Sequence, residues 1–233
     1  MIKAAIVGLG WWGKQIVGSL QGRSGKIRFV RGVDANLEAV RAFAAEKGFP
    51  VTGEYEDILA DPEVEAVLIV TPHDLHEEQI IRAAGAGKHV FCEKPLTLTM
   101  AAAERAVGAC EAAGVLLGVG HERRFEPAMI EIKRMIDKGE LGTILHVEAN
   151  FSHDSLKALP ADNWRVSHPF VPPAMTGMGI HLTDSYLHLL GPVEKLYAQP
   201  AWRVTDWKAG DGIAVTFKFV SGVTGLLSSL LAT

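Results

Sequence analysis

The chain has 233 residues, of which 48% are hydrophobic and 21% are charged, so it can build a folded core and is not mainly disordered. Its net charge of −4 excludes a strongly basic nucleic-acid footprint, and its two cysteines exclude a disulfide-stapled domain or a four-cysteine zinc site. Apolar runs are too short for a transmembrane helix, and the N-terminal residues do not resemble a signal peptide. We therefore expect a cytoplasmic protein that binds neither nucleic acid nor membrane.

The first half of the chain alternates strand and helix patterns. The apolar run 66–70 lacks polar alternation, which is typical of a strand buried on both faces. Regular alternation of strands and helices predicts a parallel, doubly wound α/β sheet with right-handed crossovers. The predicted strands are 3–8, 27–33, 66–70, 88–92 and 115–119, and the predicted helices are 11–22, 36–47, 75–86 and 99–113.

The second half has a different pattern. Residues 144–151 alternate between apolar and polar side chains, which predicts an antiparallel strand with one polar face. Four prolines between residues 153 and 178 predict a long loop. We therefore expect two domains, residues 1–120 and 121–233. The remaining predicted elements of the second are helices over 127–138 and 179–190 and strands over 193–199, 212–220 and 223–231.

The turn after the first predicted strand matches the dinucleotide-binding pattern G-x-G-x-x-G. Gly8 allows the tight turn, Gly10 lets the backbone approach a pyrophosphate, and Gly13 lets helix and strand pack closely. The N-terminus of the following helix offers N–H groups and positive dipole charge to phosphates. A structural strand–turn–helix with incidental glycines is the alternative interpretation.

Asp34 ends the second predicted strand, 21 residues after Gly13. A carboxylate there can accept hydrogen bonds from the adenosine ribose hydroxyls and repel a 2′-phosphate, which favours NAD over NADP. Trp11 and Trp12 lie inside the turn and are candidate cofactor contacts, with packing or surface exposure as the alternative.

Lys94 is the main catalytic candidate of the first half. It follows the predicted strand 88–92, at the end where parallel sheets bind ligands, and Pro95 keeps it out of helical geometry. To act as a base near neutral pH, its pKa must fall by about 3 units from ~10.4, which burial and a nearby nicotinamide cation would favour. Spacing alone does not separate such a lysine from a solvated one.

Residues 87–96 read GKHVFCEKPL. In chain order, the notable residues are Gly8 to Gly13, Asp34, Thr71-Pro72 with His76, Gly87-Lys88-His89-Val90, Glu93-Lys94-Pro95, and Gly179-Ile180-His181 with Asp184. With these residues in this order, the chain resembles the Gfo/Idh/MocA oxidoreductases across nearly its whole length, and residues 87–96 are the most specific match.

The resemblance implies a fold, an activity and a set of roles. It implies an N-terminal Rossmann domain, a C-terminal α/β domain with an open, mainly antiparallel sheet, and NAD(P)-dependent chemistry on sugars, polyols or cyclic diols. Lys94 and His181 would be catalytic. Family members commonly associate through the C-terminal sheet, so we expect a homodimer or homotetramer. The cofactor contacts implied beyond the glycine turn are Thr71, Pro72, His76, Glu93 and Lys94.

Three positions depart from the family pattern. Gly177 stands where an acidic residue usually lies four positions before the histidine, which leaves proton transfer to Lys94 and His181. His73 stands where asparagine often follows Thr-Pro. The chain ends at Thr233 within an apolar run, so we expect a shortened sheet or a shortened form of the chain. We expect this last run, residues 223–231, to present an apolar face or an unpaired edge that a partner subunit covers.

Substrate contacts are expected from the second half. Arg124 is a candidate for binding an acidic substrate, with a solvated surface arginine as the alternative. His73 and His76 have no third ligand at metal-binding spacing, so no metal is expected. The candidate substrate residues are His121, Arg124, Trp164, Arg165 and Asp184.

These observations favour an NAD-dependent oxidoreductase acting on a small hydroxylated substrate. Lys94 or His181 would take the hydroxyl proton as hydride leaves the carbon. Two alternatives remain open: a non-catalytic dinucleotide-binding regulator, and a redox-neutral glycosidase or lyase that keeps its NAD tightly bound.

Overall fold

The computed structural model describes residues 1–154, 156–168 and 171–231, which form two compact units. The first is Met1–Gly120 and the second begins at His121. Each unit has its own sheet and its own hydrophobic core. None of the helices in these ranges is long and apolar enough to cross a membrane.

The first unit is a six-stranded parallel sheet in the order β3-β2-β1-β4-β5-β6, which confirms the predicted doubly wound fold. The strands are β1 Ile2–Val7, β2 Ile27–Val33, β3 Val51–Thr52, β4 Ala66–Ile69, β5 His89–Cys92 and β6 Leu117–Val119. The helices are α1 Trp11–Leu20, α2 Leu37–Lys47, α3 Tyr55–Ala60, α4 His76–Gly85 and α5 Met100–Ala113, with a 3-10 turn at His73–Leu75.

Both faces of this sheet are buried. Along β1, Ala4 and Ile6 pack into one hydrophobic cluster while Ala5 and Val7 pack into another. The two clusters explain why the strand sequences are apolar without alternation. A sheet covered on both faces leaves the carboxyl ends of its strands as the place for a ligand.

The second unit is a mixed four-stranded sheet in the order β7-β10-β9-β8, flanked by helices. β9 runs antiparallel to both of its neighbours, and β7 runs parallel to β10. The elements are α6 Pro127–Asp137, β7 His146–Asn150, a π-helical turn Met175–Gly179, α7 Ile180–Leu190, β8 Val193–Ala201, β9 Gly212–Phe219 and β10 Thr224–Leu230, preceded by a 3-10 turn at Glu122–Phe125.

Two predictions about this sheet are wrong. β7 was predicted as an antiparallel strand, yet Thr224 of β10 pairs with His146 of β7 in parallel register. Alternating polarity reports one buried and one exposed face, and it carries no information about the direction of the neighbouring strand. β10 is also not an unpaired edge, because it lies between β7 and β9 with Leu227 fully buried.

Candidate cofactor and substrate sites

The glycine turn after β1 forms a backbone cradle. Gly8 has φ +94°, and a Cβ there would lie 2.7 Å from the carbonyl oxygen of Val70. A Cβ at Gly13 would lie 2.0 Å from the carbonyl oxygen of Gly8, so helix and turn can meet only through glycine. A Cβ at Gly10, by contrast, would meet no atom of the described residues within 4 Å. The backbone of the turn therefore packs tightly against the protein at Gly8 and Gly13, whereas Gly10 leaves the space that a phosphate group needs.

The N-terminus of α1 faces the same opening. Gly10 is its N-cap, and no side chain within the described ranges caps it. The first N–H groups of an α-helix have no partners inside the helix and carry partial positive charge. Together with the open side of the turn, they suit a pyrophosphate.

Asp34 lies just beyond β2, next to this cradle. Its Oδ2 accepts a hydrogen bond from the N–H of Leu9 at 2.7 Å, and its Oδ1 accepts one from the N–H of Asn36 at 2.8 Å. The carboxylate is thereby fixed beside the turn. The next two residues, Ala35 and Asn36, carry no positive charge that could attract a 2′-phosphate.

His76 holds together the segments that follow β4 and β5. Its imidazole has no exposed surface, with Nδ1 2.9 Å from the carbonyl oxygen of Pro95 and Nε2 3.0 Å from that of Thr71. Burial lowers the pKa of His76, against the opposing effect of these backbone hydrogen bonds. We predicted His76 as a cofactor contact. That stays a prediction; in the structure both ring nitrogens contact backbone carbonyl groups.

Thr71 and Pro72 link β4 to α4. The hydroxyl of Thr71 donates to Oε1 of Gln79 at 2.6 Å. The carbonyl oxygen of Pro72 accepts from the N–H of Leu75 and starts the 3-10 turn. The backbone of both residues is therefore held at the carboxyl end of β4.

Glu93 and Lys94 follow β5 directly. Glu93 is buried; its Oε1 accepts a hydrogen bond from the indole Nε1 of Trp12 at 2.7 Å, and its Oε2 accepts one from the N–H of Lys94 at 3.2 Å. The Lys94–Pro95 peptide bond is cis. Trp11 stacks on Trp12 with ring centroids 5.6 Å apart, and Trp11 is largely exposed. No spacing in the sequence indicated the contact between Trp12 and Glu93, which are 81 residues apart.

In the second unit, three predicted substrate residues come together. The guanidinium of Arg124 binds both oxygens of the buried Asp184 carboxylate, with Nε 2.8 Å from Oδ2 and Nη2 2.5 Å from Oδ1. This bond raises the pKa of Arg124 further above its usual value. Nδ1 of His121 lies 3.7 Å from Asp184 Oδ2. Arg124 is thus paired with Asp184, and its binding of an acidic substrate stays a prediction.

His181 is buried in the first turn of α7. Its ring lies 6.2 Å from the ring of Phe151, and the guanidinium of Arg123 lies 5.0 Å from the same ring. Phe151 thus links the histidine to the segment that carries Arg124. The sequence did not single out Phe151 as a site residue, because it had the pattern of an ordinary strand residue.

Trp164 and Arg165 form a stacked pair of their own, with the guanidinium 4.3 Å from the indole centroid. Gly177 lies in the π-helical turn before His181, and a Cβ there would lie 4.0 Å from Cδ1 of Leu156. Among the described residues, no group of three or more His, Cys, Asp or Glu side chains could hold a metal ion.

Fold and glycine turn together define a protein with a Rossmann-type dinucleotide-binding unit. Residues 2–121 match the model of an oxidoreductase family with an NAD-binding Rossmann fold, and residues 129–232 match the GFO/IDH/MocA C-terminal domain. The chain belongs to the Gfo/Idh/MocA family.

Named relatives include dehydrogenases of cyclic polyols. An NADP(+)-dependent scyllo-inositol 2-dehydrogenase of Bacillus subtilis is 32% identical over 193 residues, covering 82% of this chain and 52% of the relative. An NAD(+)-dependent scyllo-inositol 2-dehydrogenase of the same organism is 37% identical over 159 residues, covering 66% of this chain and 45% of the relative. The chain therefore spans about half the length of these relatives.

A solved structure also matches the whole chain. The WlbA dehydrogenase from Bordetella pertussis, in complex with NADH and UDP-GlcNAcA, is 29% identical with a TM-score of 0.90, covering 100% of this chain and 71% of that one. Relatives thus include users of NAD and of NADP, and the family match assigns this chain a nicotinamide dinucleotide cofactor.

Proposed function

We propose that this protein is an NAD-dependent dehydrogenase or reductase that acts on a CH–OH group of a sugar, polyol or cyclic diol. The observation that carries the proposal is the Asp34 carboxylate, fixed beside an open glycine cradle by hydrogen bonds from Leu9 and Asn36. This arrangement suits the two ribose hydroxyls of NAD and opposes the 2′-phosphate of NADP. Family membership and the polyol dehydrogenases among the relatives support the reaction class.

The residues divide into cofactor-holding and substrate-facing groups. The cradle of Gly8, Gly10 and Gly13 and the N-terminus of α1 would hold the pyrophosphate, while Thr71 and Pro72 would lie along the nicotinamide half. Bound NAD would supply the hydride acceptor. Contacts to the substrate would come from the second unit, through His121, Arg124, Trp164, Arg165 and Asp184.

Lys94 and His181 are the proposed proton carriers. Each side chain carries a group that can accept and donate a proton. Lys94 has an amine and lies on the segment after β5, and His181 has an imidazole and lies in the first turn of α7. One of them would take the hydroxyl proton as the alcohol is oxidised and return it in the reverse direction. Gly177 supplies no carboxylate to assist them.

The test is a substrate screen. Purified protein is incubated with NAD and a panel of inositols, hexoses, anhydro sugars and uronic acids, and NADH formation is followed by absorbance. Steady NADH release supports the dehydrogenase. Product formation with retained NADH would identify the redox-neutral alternative, and tight NADH binding without conversion of any substrate would favour the regulator.

We also propose self-association through the second sheet and a cytoplasmic location. β8 is an edge strand on which Leu196 and Tyr197 are both largely exposed, and an exposed edge favours a partner. Cys92 and Cys110 are buried free thiols, as in proteins of reducing compartments. Sedimentation equilibrium tests the first proposal, because a 25.1 kDa monomer at micromolar concentration would contradict it.

A further inference from the structure

The hydrogen bond from Trp12 to Glu93 joins the glycine turn to the segment that carries Lys94. Trp12 is the second residue of α1, and Glu93 follows β5, two strands away from β1 in the sheet. This contact therefore spans the carboxyl ends of β1, β4 and β5. Its N···O distance of 2.7 Å is that of a strong, charge-assisted hydrogen bond.

The Glu93 carboxylate is held from three sides. Trp12 donates to Oε1, the N–H of Lys94 donates to Oε2, and the Cα of Gly120 lies against the carboxyl group. A Cβ at Gly120 would come within 3.0 Å of the carboxyl carbon and of Oε1. A side chain at this position would therefore require the carboxylate to shift by a few tenths of an ångström from the place where Trp12 and Lys94 both contact it.

The sheet order assigns this carboxylate to one half of the cofactor. In a doubly wound sheet the two mononucleotide halves bind on opposite sides of the first strand. Asp34 follows β2 on one side of β1, while Glu93 follows β5 on the other side. Glu93 therefore belongs to the nicotinamide half, and Trp12 reaches it from the pyrophosphate turn.

We propose that Trp12 is a positioning residue. Its indole N–H fixes the Glu93 carboxylate and, through Glu93, the backbone of Lys94. The nicotinamide half of the cofactor is held against that backbone. The inference rests on the proposed function for its cofactor. It assigns Trp12 a role through Glu93, distinct from a direct contact with the pyrophosphate.

Two ligands separate these roles without any substrate. NADH and ADP-ribose share the adenosine and pyrophosphate groups, and only NADH carries nicotinamide. In the Trp12→Phe variant an aromatic ring is kept, although a smaller one, and the N–H is lost, so NADH should bind about threefold to tenfold more weakly while ADP-ribose affinity stays unchanged. The fluorescence emission of bound NADH should shift toward that of free NADH, which a loss of stability alone would not cause.

The matched control is Trp202→Phe. This residue also loses an indole hydrogen bond, from Nε1 to the carbonyl oxygen of Lys208 at 3.2 Å, but it lies in the second unit at a position with no proposed role in binding. It should change neither affinity.

A second variant perturbs Glu93 from the opposite side. Gly120→Ala should push the carboxylate out of place and reproduce the Trp12→Phe result, with Gly108→Ala on α5 as control because a Cβ there meets nothing within 4 Å. The double variant Trp12→Phe/Gly120→Ala should lose no more affinity for NADH than the weaker-binding single variant.

The outcomes are distinct. Parallel losses for NADH and ADP-ribose would assign Trp12 to the pyrophosphate and overturn the inference, as would unchanged NADH affinity or additive losses in the double variant. Failure of the wild-type protein to bind NADH at all would overturn the proposed function together with the inference.

Discussion

The carboxylate of Asp34 accepts a hydrogen bond from the N–H of Leu9 at 2.7 Å, so the end of β2 is joined directly to the turn after β1. We expect Asp34→Ala to narrow the preference for NAD over NADP, because a 2′-phosphate no longer meets a negative charge. NAD affinity itself should fall by about tenfold, the value of one hydrogen bond to a charged group.

Calorimetric titration of both cofactors checks this prediction. Glu111→Ala, which removes an exposed carboxylate on α5, serves as control. Equal affinity of the wild-type protein for NAD and NADP would contradict the proposal that Asp34 selects NAD over NADP.

Lys94→Ala should reduce turnover by about a hundredfold or more while leaving NAD affinity nearly unchanged. Lys94 lies on the segment after β5, two strands from β1, and is not part of the pyrophosphate turn itself. Steady-state kinetics and cofactor titration measure the two effects separately, with the exposed Lys26→Ala as control. Full activity in Lys94→Ala would leave His181 as the remaining proton carrier.

His76 should make the protein less stable in mild acid. Burial lowers its folded pKa, while in the unfolded chain the value is about 6.5. Below about pH 6.5 the imidazole is protonated in the unfolded chain but not in the folded protein. The free energy of unfolding therefore falls by up to about 1.4 kcal/mol per pH unit until the pH reaches the folded pKa of His76. Urea unfolding across this range should show less pH dependence of the unfolding free energy in His76→Gln than in the wild-type protein.

Asp211 should stabilise the second unit at neutral pH. Burial raises its pKa, but hydrogen bonds from the backbone of Thr205, Val204 and Arg203 outweigh burial and lower it. A lowered pKa means that this stabilisation is complete above about pH 4 and is lost as the pH falls through the folded value. Asp211→Ala should cost about 2 kcal/mol or more at neutral pH, and Asp211→Asn less, since one acceptor oxygen remains. Equal urea midpoints for the wild-type protein and Asp211→Ala would contradict this.

Local signals in the sequence predict the long elements well. Thr99 and Gly114 bound α5 as expected: the hydroxyl of Thr99 accepts from the N–H of Ala102, and Gly114 has φ +67°. The glycine turn and Asp34 likewise lie together because both follow adjacent strands. β3 and α3 were not predicted, since two and six residues are too few to establish a period.

Contacts between distant residues could not be predicted in the same way. The burial of His76 depends on the carbonyl groups of Thr71 and Pro95, and its neighbours along the helix do not reveal it. The pairing of Arg124 with Asp184 joins residues 60 positions apart. A spacing rule detects a shared helix face or strand face, and these contacts exist only once the strands and helices have packed.

The central position of β10 has a consequence for how the protein is made. Among the described strands of this sheet, β7 pairs only with β10. The partner of Asn150 in β7 is therefore Ser228, which is synthesised 78 residues later. The first unit has all six of its strands by Val119. On the ribosome it can fold early, while β7 and the edge of β9 that pairs with β10 stay without their strand partner until β10 emerges. We therefore expect chaperones to bind nascent chains in which β7 and β9 have been synthesised and β10 has not.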